Sequence, residues 1–194
     1  LGPTMGNLHE GRLRRVDAAR QQADRVLVSV FVNPLQFGPG EDLDAYPRTM
    51  AADKEKLFKE GAHYLYAPEV GEIYPEGMAA QTLVHVPELG DTLCGSSRPG
   101  HFDGVTTVVA KLLQIVGPDV AVFGQKDAQQ CLVLDRMVKD LHMPVRLLLG
   151  DTMRDDDGLA LSSRNLYLTD ERRVDALRVP RALAAGRDAL ASGE

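Results

Sequence analysis

The sequence predicts an α/β protein built on a Rossmann-like, doubly wound parallel sheet. Valine-rich apolar runs of strand length occur at residues 25–32, 120–123 and 145–149. Segments whose apolar residues recur at helical spacing lie between these runs. A strand covered by helices on both faces is apolar almost without interruption, and alternation of strands with helices is typical of a parallel sheet.

The predicted elements follow this alternation along the chain. Residues 3–5 are the end of an opening strand, and residues 10–23 form a helix because Leu13, Val16 and Ala19 share one face. After the strand at 25–32, the pattern predicts a helix at 105–116, a strand at 120–123, a helix at 127–141 and a strand at 145–149. A last helix is predicted from Thr169 onward, interrupted at Pro180.

The character of the chain changes after residue 151. Residues 1–152 carry the alternating elements and form the first predicted domain, whereas residues 153–194 begin a second, smaller one. The acidic run at 155–157 lacks the spacing of a calcium loop and is expected to be solvated. Both ends look truncated, since residues 3–5 are only the tail of a strand and the last helix has no following partner.

Composition and charge argue against several classes of protein. The net charge of −6 at pH 7 disfavours broad nucleic-acid binding, which depends on massed Lys and Arg. No apolar run approaches the roughly 20 residues of a membrane-spanning helix, and the first residues do not resemble a signal peptide. Cys94 and Cys131 are isolated, so we expect reduced thiols in a cytoplasmic protein that acts on small molecules.

Two segments have the composition of phosphate-binding sites. Met5-Gly6-Asn7 is a turn of small residues before His9, which lies at the start of the first helix. Such a turn offers backbone N–H groups and the positive end of a helix dipole to a polyphosphate. Ser162-Ser163-Arg164 combines two hydroxyls with a guanidinium that can bind an anion in bidentate fashion.

Further polar residues follow the ends of predicted strands, where ligands bind in sheets of this kind. Gln36 follows the strand at 25–32, and Lys126, Asp127 and Gln130 follow the strand at 120–123. The two glutamines have amide donors suited to the carboxylate and hydroxyl of a hydroxy acid. Lys126 offers an ammonium group to a phosphate.

Each of these residues also has an ordinary structural interpretation. His9 and Asp127 are candidates for helix N-caps. Arg12 and Arg15 would be solvated charges on one helix face, and Ser162-Ser163-Arg164 would be a polar surface loop.

Six stretches in order carry a resemblance to the pantothenate synthetase family of pantoate–β-alanine ligases, which are cytidylyltransferase-like nucleotidyl transferases. The chain is similar to this family over essentially its whole length. The matching stretches are residues 3–11, 31–37, 42–49, 98–102, 123–127 with 129–130, and 158–165. The resemblance implies a nucleotidylyltransferase-type sheet with the start of a C-terminal lid domain at 153–194. It also implies ATP as co-substrate, Mg²⁺, pantoate and β-alanine as substrates, and a homodimer.

The resemblance also implies roles for individual residues. ATP would be bound by Met5, His9, Arg12, Gly124, Lys126, Asp127, Met153, Leu161, Ser162, Ser163 and Arg164. The catalytic residues among them would be His9, Lys126, Ser162, Ser163 and Arg164. Gln36 and Gln130 would bind pantoate, and His101 would lie near β-alanine, with a structural histidine as the alternative. Asp53 is a candidate magnesium ligand, with a solvated carboxylate at a helix start as the alternative.

Two residues depart from the family pattern. Arg12 stands where the family has a histidine, and Ala128 stands where an aromatic residue is usual. These departures leave two alternatives to a pantoate–β-alanine ligase. The first is a weakened or inactive nucleotide-binding remnant of the family, and the second is a related nucleotidylyltransferase whose acceptor carries a phosphate. Gln36 and Gln130 disfavour the second, because a phosphate-bearing acceptor calls for Lys or Arg.

Overall fold

The computed structural model, which describes residues 1–193, contains a parallel sheet in two hydrogen-bonded parts. The first part has three strands in the order β1 (Gly2–Thr4), β2 (Leu27–Val30) and β3 (Tyr64–Tyr66). The second part pairs β4 (Val120–Gly124) with β5 (Arg146–Gly150). All the pairings within these parts are parallel.

Leu1 connects the two parts of the sheet. Its amino group donates to the Val120 carbonyl at 2.7 Å, and its own carbonyl accepts from Val122 N–H at 2.9 Å. β4 therefore lies beside β1 on the side opposite β2, so the strands run β3-β2-β1-β4-β5 across the molecule. The order reverses beside β1, and in open α/β sheets such a switch point is where ligands bind.

Helices cover both faces of the sheet. The α-helices of residues 1–193 are α1 (Glu10–Arg20), α2 (Met50–Lys59), α3 (Val70–Ile73), α4 (Cys94–Ser97), α5 (His101–Val116), α6 (Ala128–Asp140), α7 (Asp170–Ala176) and α8 (Arg178–Ser192). α1 and α2 enclose one apolar cluster with the sheet, and α5 and α6 enclose a larger one on the other face. The predicted doubly wound α/β fold is confirmed, since two separate cores flank one parallel sheet.

Most predicted elements are present with shifted ends. The strand predicted at 25–32 is reduced to Leu27–Val30, and the helix predicted at 105–116 begins four residues earlier, at His101. The helix predicted at 127–141 begins as a 3₁₀ turn over Gln125–Asp127 and continues as α6. β3 was not predicted, because only three residues pair and Tyr64 is exposed.

The predicted interruption of the last helix is present, but it lies at Leu177, three residues before Pro180. The helices α7 and α8 meet at Leu177, and Pro180 lies in the first turn of α8. The first-turn N–H groups of a helix have no intrahelical acceptor, so proline is tolerated there. No helix within residues 1–193 is both long enough and apolar enough to cross a membrane.

Candidate active site

One pocket at the carboxyl edge of the sheet gathers most of the predicted site residues. It lies between the loop after β1, the start of α1, the loop after β4 and the segment that follows β5. The predicted residues that line it are Met5, His9, Arg12, Gln36, Gly124, Lys126, Asp127, Gln130, Met153, Leu161 and Ser162. Residues far apart in sequence thus meet at one place, as the strand-end argument predicts.

The remaining predicted residues do not line this pocket. They are Asp53, His101, Ser163 and Arg164. Ser163 is buried, and its hydroxyl donates to the Asn7 carbonyl at 3.2 Å. This bond ties the second predicted phosphate-binding segment to the first.

Arg164 is engaged by a carboxylate. Its Nε and Nη2 donate to the two oxygens of Asp42 at 2.9 and 2.8 Å, and its guanidinium lies 5.5 Å from the ring centre of Tyr46. The guanidinium would have to exchange Asp42 for a phosphate in order to bind ATP. The same bond holds the pKa of Asp42 below its usual value.

His101 supports the loop that carries Gln36. Its Nδ1 is 2.9 Å from the Gln36 carbonyl, and its Nε2 is 3.0 Å from Nη1 of Arg98. Because Arg98 can only donate, the imidazole is neutral, with Nδ1 as donor. Burial also lowers the pKa of His101. These contacts favour the structural interpretation of His101.

His9 is a half-buried imidazole at the start of α1. It occupies the N-cap position with extended backbone angles, yet its side chain caps no N–H group, so the cap interpretation is wrong. Its Nδ1 is buried and has no hydrogen-bond partner within residues 1–193. Burial, followed by the charges of Arg12, Arg15, Lys126 and Lys56, lowers the pKa of His9 to about 4. The pocket therefore presents a neutral histidine surrounded by cations.

Arg12 is bound to the loop after β1. Its Nη1 donates to the carbonyls of Gly6 and, at 3.3 Å, Asn7, and its Nη2 donates to the Tyr46 hydroxyl at 3.2 Å. The interpretation of Arg12 as a solvated surface charge is therefore wrong. The guanidinium stabilises a loop in which Gly6 has a φ of +79° and Asn7 a φ of +50°.

Arg15 also lines the pocket, which the sequence analysis did not predict. We expected a solvated charge, but burial, followed by the charge of Arg12, lowers the pKa of Arg15 to about 10. The signal available in the sequence was its spacing. Arg15 lies three residues after Arg12 and four after Gly11, so all three share one helix face.

Lys126 and Asp127 lie in the turn between β4 and α6. Lys126 Nζ is 3.3 Å from Oδ1 of Asp127. Asp127 occupies the N-cap position of α6, but its side chain makes no capping bond, so its predicted role as a cap is wrong. Both side chains are substantially exposed and are available to a ligand.

Gln36 and Gln130 lie toward an apolar part of the pocket. Gln36 accepts from Asn33 Nδ2 at 3.2 Å and donates to Met5 Sδ at 3.4 Å. The buried Asn33 is fixed in turn by the Gly104 carbonyl and the Tyr74 hydroxyl. The apolar lining of this part comprises Phe31, Val105, Val108, Val109 and Leu112. A few oriented amides against an apolar wall suit a small branched hydroxy acid.

Asp53 is a structural carboxylate rather than a solvated one. It is 0% exposed, and its oxygens accept from Asn7 N–H at 2.8 Å, Leu8 N–H at 2.7 Å and Thr49 Oγ1 at 3.1 Å. The expectation of a solvated carboxylate is therefore wrong. Asp53 holds the loop before α1 in the shape that places His9.

Loss of the Asp53 carboxylate should destabilise the fold. Asp53→Ala leaves two backbone N–H groups without acceptors, and each such group costs about 1–3 kcal/mol, so we expect the free energy of unfolding to fall by about 2–6 kcal/mol. Urea denaturation measures the change. Asp135→Ala, which removes an exposed carboxylate paired with Lys139, is the control and should change stability little. Equal effects of the two substitutions would contradict the structural role of Asp53.

The lowered pKa of the half-buried His9 predicts a pH dependence of stability. Its pKa is about 4 in the folded protein and about 6.5 in the unfolded chain, so the unfolded chain binds more protons between these values. Stability should therefore fall as the pH decreases from about 6.5 to about 4. Thermal melts at pH 7 and pH 5 should show a smaller decrease for His9→Gln than for the wild type.

His85 provides a control of opposite sign. It is an exposed imidazole whose pKa is raised by a hydrogen bond to Asp103, so the stability it contributes is present at low pH and lost as the pH rises. His85→Gln should therefore make the decrease between pH 7 and pH 5 larger. An identical decrease for the wild type and His9→Gln would show that the folded protein does not hold His9 as a neutral imidazole.

Comparison with known proteins places the chain in a family. The family model for pantoate-beta-alanine ligase matches residues 1–194. The pantothenate synthetase of Stutzerimonas stutzeri is 61% identical over 191 residues, which cover 98% of this chain and 67% of that protein. The pantothenate synthetase of Pseudomonas fluorescens strain SBW25 is 59% identical, with 99% and 68% covered. The chain thus spans about two thirds of the length of these relatives.

Solved structures agree with the fold. The crystal structure of the pantothenate synthetase from Thermus thermophilus superposes with a TM-score of 0.96 at 52% identity, covering 99% of this chain and 69% of that one. The Francisella tularensis pantoate-beta-alanine ligase, solved with beta-gamma ATP and beta-alanine, superposes with a TM-score of 0.88 at 38% identity, covering 94% and 70%. On sequence and on structure, the chain belongs to the pantoate–β-alanine ligase family.

Proposed function

We propose that the chain joins pantoate to β-alanine with ATP, through a pantoyl adenylate. The observation that carries this proposal is a single pocket with two chemically different parts. One part holds His9, Arg12, Arg15 and Lys126, and the other holds Gln36 and Gln130 against apolar side chains. A polyphosphate and a small hydroxy acid can therefore lie side by side.

The nucleotide occupies the cationic part of the pocket. Gly124 lets the ribose approach the backbone, and the carboxylate of Asp127 accepts from the ribose hydroxyls. Lys126 then leaves Asp127 and donates to the α-phosphate, where negative charge grows during attack. His9, Ser162 and, after exchange of Asp42, Arg164 bind the departing phosphates.

Pantoate occupies the apolar part. Gln36 and Gln130 donate to its carboxylate and hydroxyl groups, and Phe31 and Val105 pack against its methyl groups. A pantoate carboxylate oxygen attacks the α-phosphorus and pyrophosphate leaves, which forms the mixed anhydride. The amine of β-alanine then attacks the acyl carbon, the amide bond forms as the bond to AMP breaks, and the amine releases a proton.

Catalysis in this scheme consists of positioning and charge neutralisation. No covalent bond to the protein forms, and the two cysteines have no role: Cys94 is exposed and the pKa of the buried Cys131 is raised by desolvation. Binding of two anions in reacting geometry supplies most of the acceleration. His101 acts by fixing the backbone of Gln36 and has no proposed contact with β-alanine.

Mg²⁺ enters with the nucleotide. Residues 1–193 contain no group of three or more His, Cys, Asp or Glu side chains that could hold a metal ion. Mg²⁺ is commonly bound through substrate phosphates and water with few protein ligands, and this arrangement fits the pocket. The ion would help to neutralise the charge of the phosphate chain.

We also propose a cytoplasmic homodimer in which residues 153–194 begin a lid over residues 1–152. Exposed apolar side chains on α5, α6 and β5, namely Ile115, Leu132, Leu141 and Leu149, support a subunit interface. The lid is supported by contacts from its first residues to the loop before α2, including Tyr167 OH to the Ala45 carbonyl at 3.1 Å. Analytical ultracentrifugation tests the dimer.

Pyrophosphate release distinguishes the proposed function from its two alternatives. The ligase releases pyrophosphate from ATP only when pantoate is present. A nucleotide-binding remnant releases none, and a nucleotidylyltransferase for a phosphorylated alcohol releases it with that acceptor and not with pantoate. Release without pantoate, or none with it, would contradict the proposed function.

A further inference from the structure

Arg15 lies at the carboxyl edge of the sheet, in space left by two glycines. Its Nη1 is 3.4 Å from the point that a Cβ atom would occupy at Gly124, and its Cγ is 3.1 Å from the corresponding point at Gly150. These glycines end β4 and β5. A side chain at Gly150 would press on the stem of Arg15, and one at Gly124 would touch its guanidinium, so the two glycines leave room for Arg15 at the pocket.

Arg15 has no counter-charge of its own. The other arginines of α1 are occupied: Arg12 bonds to Gly6, Arg14 pairs with Asp17 at 3.9 Å, and Arg20 donates to the Glu60 carbonyl at 3.2 Å. Arg15 makes no ion pair and no side-chain hydrogen bond within residues 1–193. The negative charge of Asp127 favours the charged form of Arg15, but the Asp127 carboxylate is paired with Lys126.

The positive charge of Arg15 therefore has no directly bonded counter-charge among residues 1–193. Arg12, Arg15 and Lys126 all act on His9, and Arg15 and Arg12 each disfavour the charge of the other. Burying a cation without a partner is unfavourable for folding. Such an arrangement is expected where an anionic ligand supplies the missing charge.

We propose that Arg15 is a further phosphate-binding residue of this site, donating to the phosphate chain of the nucleotide beside Lys126. The inference rests on the proposed ATP-dependent function. Arg164 cannot bind phosphate while it is bonded to Asp42, and Arg15 would supply a phosphate contact in that state. A phosphate is favoured over the nucleobase because Arg12, Arg15 and Lys126 line the same pocket, and the fork of a guanidinium matches phosphate oxygens.

The test is a series of dissociation constants for adenosine, AMP, ADP and ATP, measured by calorimetry on the wild type and on Arg15→Leu. Removal of a charge-assisted contact should weaken ATP binding about tenfold or more. The loss should grow with the number of phosphates and leave adenosine binding within about twofold. Arg15→Lys, which keeps the charge without the fork, should recover part of the loss. Arg14→Leu, at an exposed neighbouring position, should bind every ligand like the wild type.

A second measurement separates binding from a structural role. Because Arg15 has no partner in the ligand-free protein, Arg15→Leu should raise the midpoint of thermal unfolding while reducing its increase with ATP. A lower midpoint of thermal unfolding for Arg15→Leu would show that Arg15 is structural and would overturn the inference. An equal loss of adenosine and ATP binding would indicate a contact with the base and would also overturn it. If the wild type binds ATP and Arg15→Leu binds it equally well, the inference about Arg15 is overturned while the proposed function stands. No ATP binding by the wild type would instead overturn the proposed function.

Discussion

Lys126→Ala should lower the rate of pantoate adenylation by about 10²-fold or more while changing ATP affinity much less. The reason is that the α-phosphate oxygens beside Lys126 gain charge only as the carboxylate attacks. In the ligand-free protein the Lys126 ammonium lies 3.3 Å from the carboxylate of Asp127. Because both groups are exposed to water, this ion pair stabilises the protein little, and Lys126 can leave it for the nucleotide at small cost. Single-turnover pyrophosphate release, with ATP affinity measured separately, gives both quantities.

The control for Lys126 lies on the next helix. Lys139 is exposed on α6 and pairs with Asp135 at 2.6 Å, so Lys139→Ala should leave both rate and affinity unchanged. Equal losses of rate and affinity in Lys126→Ala would indicate that Lys126 binds the ground state and the transition state alike. An unchanged rate would remove Lys126 from the mechanism.

Discrimination against a pantoate analogue without hydroxyl groups should be large, on the order of 10⁴ in kcat/KM. The amides of Gln36 and Gln130 lie in a pocket with an apolar wall, and an analogue without hydroxyls leaves them unpaired there. Gln36→Leu should lower activity with pantoate and narrow the ratio between the two substrates. Competition between pantoate and the analogue in one assay measures the ratio.

The matched control for Gln36 is Gln114, an exposed glutamine on α5. Gln114→Leu should preserve both activity and discrimination. If the wild type activates the deoxy analogue as well as pantoate, the assignment of Gln36 and Gln130 to the acyl substrate is wrong.

The sheet and the edge that carries the pocket could be predicted because both depend on local patterns. Residues 120–123 are apolar throughout and are followed at once by Gly124 and Lys126, so strand and strand end are visible in the sequence. The same holds for the helix after His9. Burial of both faces of a parallel strand leaves a direct trace in composition.

The partners of the charged side chains could not be predicted, because they come from distant parts of the chain. Arg164 meets Asp42 across 122 positions, and Asp53 meets Leu8 across 45. Arg15 lies beside Gly124 and Gly150, which follow it in the sequence by more than a hundred residues. An Arg on a helix face is usually solvated, and the spacing of Arg15 from Gly11 and Arg12 is the local signal that points to the pocket.

Arg12, which stands where the family has a histidine, has a structural role in this protein. The sequence suggested a longer and permanently charged substitute for a phosphate-binding histidine. In the structure its guanidinium binds the carbonyls of Gly6 and Asn7 and the hydroxyl of Tyr46, and so stabilises the loop that precedes α1. Ala128, the other departure, is exposed at the first position of α6.

The most direct test of the central claim is the fate of labelled β-alanine in the presence of ATP and pantoate. If the pocket forms a pantoyl adenylate and transfers its acyl group, label should appear in pantothenate, with one AMP released for each molecule formed. Omission of pantoate should abolish both products. Release of ADP in place of AMP, or AMP formation with pantoate and no incorporation of β-alanine at any concentration, would contradict the account.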